Sequence, residues 1–323
     1  MLELSQVEAA LVDEARQIKS EAVVDEIIKT AKFSWEIALD EDTINRWLSN
    51  FSGDALGSAE AERNLALWLL SGFVFFNLSD VRAFCSDLFE RYIHTKLIEF
   101  VDEGRFQDKT IEEQINYILQ SSVFLSLGND SESGSNILYY FRQVNKLKRE
   151  VFDKDLNREY ENLVFVDDVA ISGIQALTYI PRMQQSMKYK STYYLTFLAS
   201  KDAIDALQYI STTTICCNCL AEREKCFSLE SYIFASKNMN KFLHVAAKMC
   251  EYYGTIITQG HPEADGYPLG YDQSQSMFCF FYNTPDNTLP IFWCRGAGWN
   301  PLFTRFEKIL DEKEAPINNV EFV

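Results

Sequence analysis

Apolar residues recur every three or four positions at the start of the chain. Leu4, Val7, Leu11 and Ile18 fall at helical spacing, with Glu and Asp between them. The same period predicts helices over residues 23–32, 42–50, 59–76 and 78–102. Thr110 followed three residues later by Glu113 is a capping-box pattern that opens another helix to residue 119. Phe33, Trp35, Trp47, Phe51 and Trp68 are expected to pack between these helices. After Ser121 the period changes. Apolar runs at 123–127, 163–166, 193–198 and 212–217 read as strands, with helices over 136–150, 175–187 and 202–210. Pro181 should limit or bend the second of these helices. Strands alternating with helices predict parallel crossovers, hence an α/β fold with a mostly parallel sheet. A helix at 238–253 precedes a turn-rich tail with a strand at 276–282. The expected division is a helical N-terminal domain, 1–118, and an α/β domain, 119–323, with a turn-rich C-terminal extension.

One strand carries chemistry. Leu163-Val-Phe-Val166 is followed by Asp167 and Asp168, then by a short loop through Ala170, Ile171, Ser172, Gly173, Ile174 and Gln175 that opens a helix. In open α/β sheets ligands bind outside the carboxyl ends of strands. Backbone N–H groups at such a loop converge on an anion, aided by the helix N-terminus. Carboxylates beside a phosphate cradle make sense if they accept hydrogen bonds from sugar hydroxyls while the loop holds a 5-phosphate. One strand earlier, Gly128, Asn129, Ser131, Ser133 and Gly134 form a loop suited to close backbone approach to a pyrophosphate. Asp130 and Glu132 there would oppose it unless Mg²⁺ intervenes. Arg142, Lys146, Lys148 and Arg149 are candidate counter-charges, or else a solvated helical face. Tyr271, Asn283 and Asn287 are candidates for a base or sugar pocket, and His261 a weaker one.

The 163–175 segment resembles the phosphoribosyl pyrophosphate (PRPP) motif of type I phosphoribosyltransferases: apolar strand, two acids, small loop ending in Thr-Gly-x-Thr. Ser172 and Gly173 match the Thr-Gly pair, whereas Ile174 and Gln175 depart from the small residue and Thr. A haloacid-dehalogenase phosphatase would need an acid at Val169, and a response-regulator receiver an acid at the end of the 212–217 strand. The order of helical region, SG loop, acidic motif and late GWNPLF segment is similar to the phosphoribosyltransferase-like effectors of bacterial conflict and anti-phage systems, some retron-associated. The resemblance implies a type I phosphoribosyltransferase-like sheet, PRPP or a nucleotide as ligand, and Mg²⁺ held directly or indirectly by Asp167 and Asp168 as the catalytic acids. A non-catalytic nucleotide sensor, or a regulatory subunit binding defence partners through the helical domain, stays open.

Composition narrows the setting. A formal net charge of −17 over 323 residues argues against extended nucleic-acid binding, though not against a nucleotide in a local pocket. No apolar run reaches the roughly 20 residues of a membrane span, and the acidic start does not resemble a secretion signal. The eight cysteines are expected to be reduced, buried thiols of a cytoplasmic protein. Cys216, Cys217, Cys219 and Cys226 are poorly spaced for zinc, and none is expected.

Overall fold

Helix starts are set by side chains that satisfy the first unpaired N–H groups. Ser5 caps α1 (Gln6–Ala15) and Asp40 caps α3 (Glu41–Leu48), each accepting from a backbone N–H three residues on. Between them α2 (Glu21–Thr30) runs into a π turn, Ala31–Trp35. The computed structural model describes residues 4–305 apart from 19–20, 128–132, 237, 263 and 304. Ser58 opens α4 (Ala59–Ser71). The helix expected to reach residue 76 ends here, because Val74–Phe76 is a strand, β1. It pairs in parallel with a strand some two hundred residues away (Val74↔Phe278), a partner that local periodicity does not register. Asn77 and Asp80 form a capping box for the 25-residue α5 (Leu78–Asp102), and Thr110 and Glu113 form one for α6 (Ile111–Ser121).

The remaining elements alternate as expected: β2 (Ser122–Ser126), α7 (Ser133–Val144), β3 (Glu159–Ala170), α8 (Ile174–Ser186), β4 (Lys188–Ser200), α9 (Lys201–Gln208), β5 (Thr212–Leu220), α10 (Leu243–Thr258) and β6 (Phe278–Phe280). α8 continues through Pro181 to Ser186. β2, β3, β4 and β5 form one parallel sheet in that order, with Phe124↔Val164, Val164↔Tyr193 and Tyr193↔Thr213 in register. Its central strands are apolar on both faces, as a doubly covered parallel sheet requires. α5 and α7 cover one face, with Tyr92, Phe124, Phe141, Val164 and Phe197 in the core. α8 and α9 cover the other, over Leu163, Phe165, Ile180 and Leu207. The chain thus leaves β2 towards one face and β3 towards the opposite one, the arrangement that opens a crevice at the carboxyl ends of two neighbouring strands.

A third core joins the N-terminal helices to the end of the chain. Trp47, Phe51, Leu69 and Phe73 pack with Ala246, Met249, Phe292 and Trp293. α5 and α6 lie against the sheet, while Cys226, Val245, Cys250 and Ile291 join the helical core and Phe278 and Phe280 join that of the sheet. Trp35, Trp47 and Phe51 are buried as expected, but Phe33 is 74% exposed. The cysteines divide likewise. Cys85, Cys226, Cys250, Cys279 and Cys294 are buried, Cys216 and Cys217 half-buried and Cys219 exposed, because β5 is an outer strand of its sheet. Among the described residues no helix is long and apolar enough to cross a membrane.

Candidate functional site

β3 runs four residues beyond the expected end at 166, so both carboxylates sit within the strand rather than beyond it. Alternation along a strand then separates them. Leu163 and Phe165 face α8 and α9, and Asp167 follows on that side; Val164 and Val166 face α5 and α7, and Asp168 follows on the other. The hydrogen bonds agree. Tyr194 of β4 donates its hydroxyl to Asp167 Oδ2 at 2.7 Å, and Tyr282 from the C-terminal segment donates to Asp168 Oδ2 at 3.1 Å. The remaining carboxylate oxygens accept from the next backbone N–H, Asp168 N at 3.0 Å and Val169 N at 2.9 Å. Each acid is held by its own tyrosine, while the two carboxyls still interact with one another.

After Ala170 the chain turns through residues 171–173 into α8. Gly173 stands at the N-cap with φ 69°, a left-handed conformation in which an added Cβ would lie 3.3 Å from Ala203 Cβ. Glycine is the residue that takes this conformation without strain. Ser172 Oγ accepts from Ile174 N, and Ser200, at the start of α9, donates to Ile171 O at 2.5 Å. The loop is thus clamped by the neighbouring strand. Its backbone borders a cavity of about 270 Å³. Asp167, Tyr194 and the whole stretch from Val169 to Ala176 line it, with Leu127 from the end of β2 on one side. Tyr271, Asp286 and Asn287 close the outer side. That outer wall is tied together by Tyr271 N donating to Asp286 O at 2.8 Å and by Ser274 Oγ donating to Asn287 O at 2.6 Å.

The cavity is acidic. Asp167 and Asp286 line it, Asp286 ion-paired with Arg305 at 3.5 Å, and no Lys or Arg itself lines the cavity among the described residues. Burial raises the pKa of Asp167 well above the ordinary aspartate range, and the neighbouring charge of Asp168 adds to the shift. Burial raises that of Asp168 as well, partly offset by the Tyr282 hydroxyl. The sign follows from linkage: between the unfolded pKa, about 3.9, and the higher folded values, the folded chain binds more protons. Stability from this pair is therefore fully present below that range and is lost as pH rises through the folded values. Thermal unfolding of the wild type and of Asp167→Asn/Asp168→Asn should show the difference in melting temperature shifting in favour of the wild type as pH falls from 7 to 5. A pH-independent difference would contradict it.

A family model, PRTase-CE, matches residues 44–305, most of the chain. The chain belongs to the PRTase-CE family. This is a phosphoribosyltransferase-type family, in keeping with the mixed α/β fold, the parallel sheets and the helical N-terminal region seen here. Among solved structures the chain is similar to orotate phosphoribosyltransferase from Aeropyrum pernix, with 14% identity and a TM-score of 0.25. The match covers 32% of this chain and 61% of that one, so it spans less than two thirds of that protein's length. No curated protein matches.

Against this PRTase-CE framework the expected site residues separate. Asp167, Ala170, Ile171, Ser172, Gly173, Ile174 and Gln175 come together around the cavity, and Tyr271 and Asn287 join them from 100 residues away. Asp168 is not among the lining residues, because it points to the opposite face. Asn283 also stays outside, in a tight turn where its N–H donates to Phe280 O at 3.1 Å. His261 packs edge-on against the buried Trp293 ring at 5.6 Å. Gly128, Asn129 and Ser131, with Asp130 and Glu132, lie outside the described residues; Ser133 and Gly134 form the first turn of α7. The four cations at and after α7 do not line the cavity, since α7 carries the chain back towards the start of β2. Arg142 Nε donates to Leu147 O, Arg149 pairs with Asp153 at 3.8 Å, and Lys146 and Lys148 border a different cleft.

Sequence reasoning missed Tyr194, Tyr282 and Asp286. A signal existed for Tyr194: Asp167 is in register with Thr196, and a residue two positions away on that strand shares its face. Tyr282 and Asp286 are brought in by long-range packing of the tail and leave no local trace.

Proposed function

We propose that this PRTase-CE protein acts at the anomeric carbon of PRPP or a nucleotide, with the ligand's 5-phosphate on the residue 171–175 backbone and its ribose hydroxyls against Asp167. The observation that carries the reading is a cavity lined by one buried carboxylate and by the backbone of a glycine-capped helix start. Positive charge develops on the sugar ring during such a transfer, and a carboxylate at that position favours it. No described Lys or Arg lines the cavity, so a bound pyrophosphate there would need a positive partner of its own. Mg²⁺ suits that need by neutralising the leaving group. Asp167 would reach such an ion beside the ligand's own oxygens. Asp168, held by Tyr282 on the other face, does not fit as a second ligand to the same ion. Among the described residues no group of three or more His, Cys, Asp or Glu side chains is placed to hold a metal unaided.

A second cleft of about 360 Å³ shares Ile171 with the first and opens over the ends of β4 and β5. Ser200, Asp202, Leu220 and Phe278 line it, a mixture of apolar wall and hydrogen-bonding groups suited to the acceptor or departing base. Incubation with PRPP and Mg²⁺, with and without each nucleobase, or with nucleotides alone, should release pyrophosphate or free base. Asp167→Asn/Asp168→Asn should abolish it while the fold persists. Retained turnover in the double variant would defeat the assignment, and ligand binding without turnover in the wild type would identify a sensor instead. The anti-phage effector role implied by the sequence resemblance is part of this proposal. Its check is loss of protection or toxicity in cells carrying the double variant.

A further inference from the structure

Another concavity lies away from the acidic cavity. A cleft of about 540 Å³ opens at the other end of the sheet, where β2 begins, with Ser122 on its floor. Ser122 is in register with Asn162, five residues before Asp167 on β3, which places the cleft roughly 16 Å along the strand from the acidic cavity. Phe89, Ile115, Leu119 and Leu147 form apolar walls, and the side-chain amides of Asn116 and Gln120 border them. Lys146, Lys148 and Arg158 also line the cleft, with Glu150 beside them, so cations outnumber acids there. Lys146, at φ 52°, turns the chain out of α7, with Leu147 N donating to Arg142 O, so that two lysines two residues apart reach the same concavity.

Charge makes this cleft unusual. Residues 142–158 hold six cations and three acids in a chain of net charge −17. Among the described residues Lys146, Lys148 and Arg158 form no ion pair, although many of the molecule's other cations do. Arg158 instead lies over the Tyr160 ring at 5.0 Å and donates to Gln120 O, which holds its guanidinium at the rim. Apolar walls, a few amides and a cationic rim within 300–1,000 Å³ are what a small ring-bearing anion requires. We infer that this cleft is a second ligand site, distinct from the acidic cavity, for a nucleoside monophosphate: ring between Phe89 and Leu119, phosphate at Lys146, Lys148 and Arg158.

The test is binding stoichiometry by calorimetry on the full chain, with AMP, GMP, CMP and UMP titrated separately. At least one should bind the wild type, and Lys146→Glu/Lys148→Glu should lose one site per chain or weaken it at least tenfold. The neutral pair Lys146→Gln/Lys148→Gln should weaken the same site less, and unchanged melting temperatures for both pairs would show that folding is not the cause. Inorganic phosphate alone should bind at least tenfold more weakly than the nucleotide. Failure of all four nucleotides to bind, stoichiometry and affinity unchanged by both lysine pairs, or phosphate binding as tightly as nucleotide would overturn the inference. Asp167→Asn, measured alongside, reports on the acidic cavity alone, so the two sites stand or fall separately.

Discussion

Asp167→Asn alone is expected to lower turnover about 10²-fold or more, whereas Asp168→Asn should leave most of it intact. Only the first carboxylate lines the cavity. Asparagine keeps the size of the side chain and can still accept from Tyr194, so the loss would report charge rather than packing. Asp168 is turned into the core beneath α5 and α7, and its partner is Tyr282. Pyrophosphate or base release, measured for both single variants with circular dichroism as a control on folding, decides it. Equal losses in the two variants would mean that the acids act as one unit, against the alternation of β3.

Trp47→Ala should destabilise the whole chain by about 3–5 kcal/mol, the range for deleting a buried large aromatic. Trp47 is 1% exposed, stacks on Phe292 at 5.4 Å and meets Phe51 edge-on at 5.3 Å. Its indole Nε1 donates to Ile291 O at 2.8 Å. Trp299 Nε1 donates to the same carbonyl at 2.9 Å, so the deletion weakens that acceptor's pairing without orphaning it. Phe33→Ala, at an exposed ring, should stay within about 0.5 kcal/mol. Denaturant unfolding of the two variants makes the comparison. A loss below about 1 kcal/mol for Trp47→Ala would mean that the N-terminal helices and the tail do not stabilise one another.

Much of the sheet was legible because its information is local. Apolar runs such as 163–166 and the helical patterns between them are set by nearest neighbours, and Ser172 and Gly173 announce a turn into a helix. The acid pair was legible as a pair but not as two directions. That distinction needed the true end of β3, fixed by its pairing with β4 as far as Ala170↔Ala199. Val74–Phe76 read as helix because its strand partner lies beyond any local window. Lys146 and Lys148, readable from sequence either as counter-charges or as a solvated helical face, do not line the acidic cavity. α7 instead carries them to the far end of the strands.

The three-residue pairing of β1 with β6 has a consequence for how the molecule is made. Tyr271, Asp286 and Asn287, which wall the acidic cavity, flank β6, and β6 is anchored to a segment synthesised some two hundred residues earlier. Contacts of such long sequence separation form late, after the loop between them has closed. The outer wall of the acidic cavity is therefore in place only once residues 271–287 have been synthesised, about a hundred residues after Asp167 and its loop.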